Sequence, residues 1–370
     1  MLEIDIATRV VGAAEDIYIV RPGAEFALYD DFIAKEHVFL DFPGFGLSPD
    51  QNFPEKDPAR QMATRSIAVR DWHLAKRAGQ EPNRNLNAYA RSTKGRRVGR
   101  YVSGIKRLNY EMPTGTIIVV PGPQIFSDVL IGEISGPRTA VTVEAYPNET
   151  LLARPVKWLA RRPKAKFTQE FVEKLKTRNP ITLLDRSLRE EVLRAGYGQY
   201  VIGDLFVARL ETTSADFSTL DDYDIQTLIN FAAGAILAYE EGYDKEGGLS
   251  LLDALAYLRQ NRDAVPEFKS NINSPGSLRL FSGSVAPLAI VAIVTAALSG
   301  EVVAADMRIG NSKGGTDQVC VLEVQERVRG AVRLMRLDDL AQACAQTTYA
   351  KKDAGLKSSM HVRKAPKAKG

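Results

Sequence analysis

With 370 residues, 45% hydrophobic and 25% charged, the chain has the composition of an ordinary globular protein of two or three domains. That excludes a collagen-like or mostly disordered chain, and two cysteines, Cys320 and Cys344, are too few for a disulfide framework or a Cys-rich zinc site. The formal charge of +4 is uneven: residues 351–370 hold seven Lys/Arg and one acid, leaving 42 basic and 44 acidic residues elsewhere.

The opening MLEIDIATRVVGAAEDIY carries acids where a secretory signal needs a basic start and an apolar run, so a cytoplasmic location is expected. Residues 17–20 (IYIV) predict a strand stopped by the turn Arg21-Pro22-Gly23. A short helix over 24–34 and a strand over 37–42 (HVFLDF) follow. Residues 51–108 are polar, helical in places and rich in Arg and Asn. From 60 to 107 they hold thirteen Lys/Arg against Asp71 and Glu81. Strands are expected over 116–120 (TIIVV), 129–134 and 151–159, and their turn-punctuated spacing suggests a small barrel. A second basic band, 154–166, has six basic residues and no acid.

Amphipathic helices are expected over 167–178 and 183–194, on either side of Asn179-Pro180, then a strand over 200–210. Further helices are predicted over 221–241, 250–261 (with Ser250 as N-cap), 285–298 and 337–346, and a strand over 319–324 (VCVLEV). Residues 211–269 are acidic, with twelve acids and four basic residues. The uncharged run 285–298 has 14 residues, short of the roughly 18–20 that span a bilayer, so a buried helix and no membrane partner are expected. The basic end, 351–370, reads as a disordered tail.

Clustered basic residues attract phosphates and release counterions on binding, so DNA or RNA is the expected partner. The candidate phosphate contacts are Arg96, Arg97, Arg100, Lys106 and Arg107 in the first band, and Arg154, Lys157, Arg161 and Arg162 in the second.

Four segments carry a family resemblance: IYIVRPGAEFALYDDFIAKEHVFLDF (17–42), NAYARSTKGRRVGRYVSGIKRLNYEM (87–112), PTGTIIVVPGP…VLIGEISGP (113–137) and LLARPVKWL (151–159). In this order they resemble the PUA- or EVE-like module of Mrr-like restriction endonucleases and other prokaryotic defence proteins, over about 150 of the 370 residues. Matching elements include Ile131-Gly132-Glu133-Ile134-Ser135-Gly136 and Arg154-Pro155-Val156-Lys157-Trp158. The chain departs from the family at Phe42, where a Trp is frequent, and at Gly115-Thr116, where Gly-Asp is usual. The resemblance implies a barrel that reads nucleic acid and takes a modified base into an aromatic-lined pocket. Arg21, Phe42, Phe45, Tyr110 and Trp158, on or beside predicted strand ends, are the candidate pocket residues.

The expected fold class is α+β, a small PUA/EVE-like barrel over 1–166 followed by a helical connector (167–212), a mostly helical assembly or effector domain (213–350) and the tail. No catalytic residue and no cofactor are assigned. Two alternatives stand beside the nucleic-acid reading. Mrr-like proteins pair this module with a PD-(D/E)xK nuclease, and Asp317 with Glu323 on the predicted strand 319–324 and Gln325 directly after it would supply a Mg²⁺ site. However, Arg327 stands where the nuclease needs a lysine. The other alternative is a non-enzymatic subunit, whose helices 221–241 and 285–298 would form an interface with defence-system subunits or a second copy of the chain.

Overall fold

The computed structural model describes residues 2–90, 95–124, 126–243, 246–271, 276–300, 307–313 and 318–364, with backbone alone at 318, 319 and 364. It is a mixed α/β protein that divides into two compact units: Ala14–Gly196, and Met1–Ala13 together with Tyr197–Gly370. Residues 1–13 therefore pack with the C-terminal half, and 167–196 with the N-terminal one.

Unit 14–196 is built on a seven-stranded sheet curled into a half-barrel. Its strand order is His37–Phe39, Thr150–Pro163, Asp128–Ile134, Ile117–Val120, Tyr18–Val20 and Ile181–Leu183, with Thr139–Thr142 also paired to Thr150–Pro163. Pairing is antiparallel except between Tyr18–Val20 and Ile117–Val120. One strand makes the curl. The first part of Thr150–Pro163 pairs with His37–Phe39 and Thr139–Thr142, and the remainder with Asp128–Ile134.

A bulge sits in that second ladder, where Ile131 faces Ala160 but Gly132 faces Trp158. A Cβ on Gly132 would lie 2.5 Å from Val156 Cγ1 and 2.8 Å from Trp158 Cε3, so glycine is what lets Trp158 pack across the neighbouring strand. The buried Arg154 guanidinium donates to the carbonyls of Gly136 (3.0 Å), Leu108 (3.2 Å) and Met112 (2.8 Å). The Arg-x-Val-x-Trp string is architectural: its arginine ties the helical turn ending at Met112 to the loop at Gly136, and its tryptophan covers a glycine.

Two helices, Lys56–Leu74 and Arg96–Lys106, pack against each other and contribute to the core of this unit. In the second, Val98, Tyr101 and Ile105 recur at helical spacing and are buried, with Leu108 continuing the stripe. Arg96, Arg100, Ser103 and Arg107 recur at the same period on another face. The helix predicted from 183 begins only at Arg189. Ile181–Leu183 is a strand instead, filling the sheet edge beside Tyr18–Val20.

Among the described residues the other unit holds two sheets and five α-helices, so the C-terminal half is not helical alone. Leu2–Asp5 lies between Met307–Gly310, parallel to it, and His361–Lys364, antiparallel. The second sheet runs Glu267–Asn271, Gly276–Ser282, Leu205–Thr212, Tyr200–Ile202 and Arg9–Val11, with Lys357–Ser358 also on Leu205–Thr212. The helices are Thr219–Glu240, Leu251–Gln260, Ala286–Leu298, Gln318–Leu334 and Leu337–Asp353. Ser218 and Asp221 close a capping box on the first, and every residue of Ala286–Leu298 is buried. Among the described residues no helix is long and apolar enough to cross a membrane.

Two expectations are corrected here. Residues 319–324 are helix, not strand, because Cys320, Val324, Val328 and Ala331 bury one helical stripe. The part of the basic tail that is described, 351–364, is ordered into a helix end and two strands, anchored by buried Leu356 and Met360. Helices 219–240 and 286–298 put most of their apolar surface into their own unit's core, while Leu220, Tyr223 and Tyr239 of the first stay exposed.

Candidate functional site

The turn Arg21-Pro22-Gly23 is the starting point. Gly23 has φ 76° and a Cβ there would lie 3.2 Å from Asp41 Oδ2, so only glycine fits both the backbone and the neighbour. Asp41 Oδ2 accepts the Ala24 N–H at 3.0 Å and two contacts from Arg70, while Oδ1 accepts the Tyr146 hydroxyl. The carboxylate, buried among these donors, pins the turn to helix Lys56–Leu74.

Pairing of Ile181–Leu183 with Tyr18–Val20 brings the loop Arg178-Asn179-Pro180 against that turn, and the Arg21 N–H donates to the Pro180 carbonyl at 2.9 Å. Arg21 Nη1 donates to the Thr177 carbonyl at 2.8 Å, and its guanidinium lies 4.5 Å from the Phe26 ring centre. Burial and the nearby Arg178 both depress the Arg21 pKa, which marks two cations drawn together.

Two adjoining hollows result. The larger, about 660 Å³, runs over Arg96, Gly99, Arg100, Ser103, Gly104 and Arg107, with Asn179, Pro180 and Ile181 as its far wall. The smaller, about 190 Å³, is lined by Arg21, Gly23, Asp41, Phe42, Arg70, Arg97, Tyr101 and Arg178. Arg100 and Pro180 line both. Phe42 and Tyr101 stack on each other with ring centres 3.6 Å apart.

The charges around these hollows do not balance. Asp41 is matched by Arg70, Asp71 by Arg97 in a two-pronged pair at 2.6 and 3.0 Å, and Glu111 by Lys106 at 3.1 Å. Arg21, Arg96, Arg100 and Arg178 have no carboxylate partner among the described residues. Such a surface attracts anions from solution.

The sequence-derived residues divide accordingly. Arg21, Phe42, Arg96, Arg97, Arg100 and Arg107 line the two hollows. Arg107 also lies 3.8 Å from Glu111. Phe45 is buried beside a separate small hollow. Tyr110 donates to the Gln51 carbonyl at 2.9 Å, with Phe53 against its ring and the Arg138 guanidinium 4.0 Å above it. Trp158 donates to the Phe32 carbonyl at 3.3 Å. Arg154 is consumed by its three carbonyls, and Arg161 pairs with Asp128 at 2.6 Å. Lys157 and Arg162 lie on the long strand and do not line the hollows. The residues missed are Asp41, Arg70, Tyr101, Ser103 and Arg178. Ser103 was recoverable from the helical stripe and Arg178 from its basic Arg-Asn-Pro loop; Asp41 gave no signal.

For the nuclease alternative, Asp317 lies outside the described residues. Glu323 sits on helix Gln318–Leu334, 3.6 Å from Arg327, and Gln325 Oε1 accepts the Ile309 N–H at 3.3 Å. Neither occupies the strand that alternative requires. Among the described residues no group of three or more His, Cys, Asp or Glu is placed to hold a metal ion. No family model matches the chain, and neither a curated protein nor a solved structure matches it.

Proposed function

We propose that unit 14–196 binds DNA or RNA through the sugar-phosphate backbone, along the groove over helix Arg96–Lys106. One observation carries this: Arg96, Arg100 and Arg107 fall on one helical stripe lining a concave surface, and the first two have no carboxylate partner among the described residues. Cations already paired within the protein have little left to offer a phosphate, whereas these remain available for charge-assisted hydrogen bonds. The glycines strengthen the case. Gly99 has nothing within 4 Å of a Cβ position, so the groove floor is bare backbone that a ligand can approach closely. The resemblance to PUA- and EVE-like modules of prokaryotic defence proteins agrees with such a role and suggests a defence or restriction system as its setting.

The test is fluorescence anisotropy with single- and double-stranded DNA and RNA across a salt series. We expect a steep decrease of affinity with salt, and each of Arg96→Ala and Arg100→Ala reduces the log–log slope by about 0.7–0.9. A salt-independent or absent interaction overturns the proposal.

A further inference from the structure

We propose that the smaller hollow, beside the groove, takes the terminal phosphate of a strand, so that the protein prefers phosphorylated ends. This rests on the groove reading above and adds the chemistry of the end of the ligand.

Charge supports it first. Asp41 is the carboxylate in the lining, and both its oxygens are already engaged by Ala24, Arg70 and Tyr146. Arg70 and Arg97 are likewise spent on Asp41 and Asp71. What remains is Arg21, Arg100 and Arg178, three arginines that line a hollow of about 190 Å³ with no carboxylate of their own among the described residues, Arg21 giving one donor to the Thr177 carbonyl. A phosphodiester inside a strand carries a single negative charge. A terminal phosphate carries about −1.5 to −2 at pH 7 and three acceptor oxygens, the better match for three arginines lining one hollow.

The aromatic residues argue the same way. A base held in a pocket needs an open ring face on which to stack. Here Phe42 and Tyr101 are stacked on each other and both buried, while Tyr110 and Trp158 are engaged elsewhere. The pocket is rich in donors and poor in free π-faces, which suits an inorganic-like anion better than a base.

The connection between the hollows supplies the geometry. Arg100 and Pro180 line both, so a chain whose internal phosphates follow Arg96 and Arg107 can place its last phosphate between Arg21 and Arg178.

The experiment uses the full chain and four matched single strands: 5′-phosphorylated, 3′-phosphorylated, phosphorylated at both ends, and hydroxyl at both ends. Affinities are read by competition anisotropy at one salt concentration. One end, 5′ or 3′, should bind about tenfold more tightly when phosphorylated, as expected for added charge-assisted hydrogen bonds. Arg178→Ala, in an exposed loop where folding is not at stake, should bring the ratio of phosphorylated to hydroxyl affinity to about one. Arg21→Gln should do the same. Arg96→Ala should lower both affinities and keep their ratio. Equal binding of all four strands, with Arg96→Ala still weakening each, overturns the terminal-phosphate proposal while leaving the groove. Failure of every strand to bind overturns both. A ratio that survives Arg178→Ala and Arg21→Gln also overturns it, by placing the end elsewhere.

Discussion

Arg70 meets a single oxygen of Asp41 with both Nε and Nη2, each at 2.8 Å. Burial by itself lowers the pKa of that guanidinium, but the carboxylate outweighs it and holds the arginine above its ordinary value. With the Arg70 side chain only 12% exposed, removing the carboxylate strands a charge. Asp41→Ala should destabilise the protein by about 3–5 kcal/mol, measured by urea denaturation. In an Arg70→Met background the same change should cost clearly less. Equal losses in the two backgrounds would mean the pair is not coupled.

Arg154 and Arg100 should separate stability from binding. Arg154→Ala leaves the carbonyls of Leu108, Met112 and Gly136 without this donor, and a loss of about 2–4 kcal/mol is expected. Its salt slope for nucleic acid should stay at the wild-type value. Arg100→Ala, exposed and unpaired among the described residues, should change stability by no more than about 0.5 kcal/mol while reducing the slope.

Gly99 sits inside a helix, where glycine is about 0.5–1 kcal/mol worse than alanine, and nothing stands within 4 Å of a Cβ there. Gly99→Ala should therefore raise the melting temperature and, by putting a methyl group on the groove floor, weaken nucleic-acid binding. A variant that is both more stable and equally tight would show that the ligand does not approach this backbone.

The His73 side chain is 3% exposed, with Nε2 3.8 Å from Glu149. Burial holds its pKa below the ordinary 6.5, against the pull of Glu149 and with Arg77 helping to lower it. The unfolded chain takes up a proton near 6.5 and the folded chain only at lower pH. Stability from this group is therefore intact above 6.5 and is lost as the pH falls from there toward the folded pKa. Urea midpoints at pH 7.5, 6.5 and 5.5 should drop less steeply in His73→Gln than in the wild type. Parallel curves would remove His73 as the cause.

The elements legible from sequence are those whose signal is local. Ala286–Leu298 declares itself by an unbroken apolar run, and Thr219–Glu240 by its stripe. Gln318–Leu334 misleads because 319–324 (VCVLEV), near its start, fits a short apolar strand. Only the longer window containing Val324, Val328, Ala331 and Val332 shows the helical period. Short strands such as Leu2–Asp5 and Ile181–Leu183 exist because a distant partner supplies their hydrogen bonds, and nothing within three or four residues announces that. The site divides likewise. The arginine stripe of one helix can be read from its spacing, but the meeting of Arg21 with Arg178 depends on a strand pairing, and Asp41 acquires its part only when Arg70 and Tyr146 arrive.

Leu2–Asp5 hydrogen-bonds on one side to Met307–Gly310 and on the other to His361–Lys364. During vectorial synthesis this strand emerges about 300 residues before Met307–Gly310, and longer still before His361–Lys364, and must wait for both partners. Residues 14–196, a continuous stretch, are all present long before then and can fold while translation continues. The discontinuous unit must keep its earliest strand, with buried Leu2 and Ile4, and the buried Ile6 that follows it, out of competing contacts through that whole interval. The burden on chaperones in the cell should fall on this half of the protein.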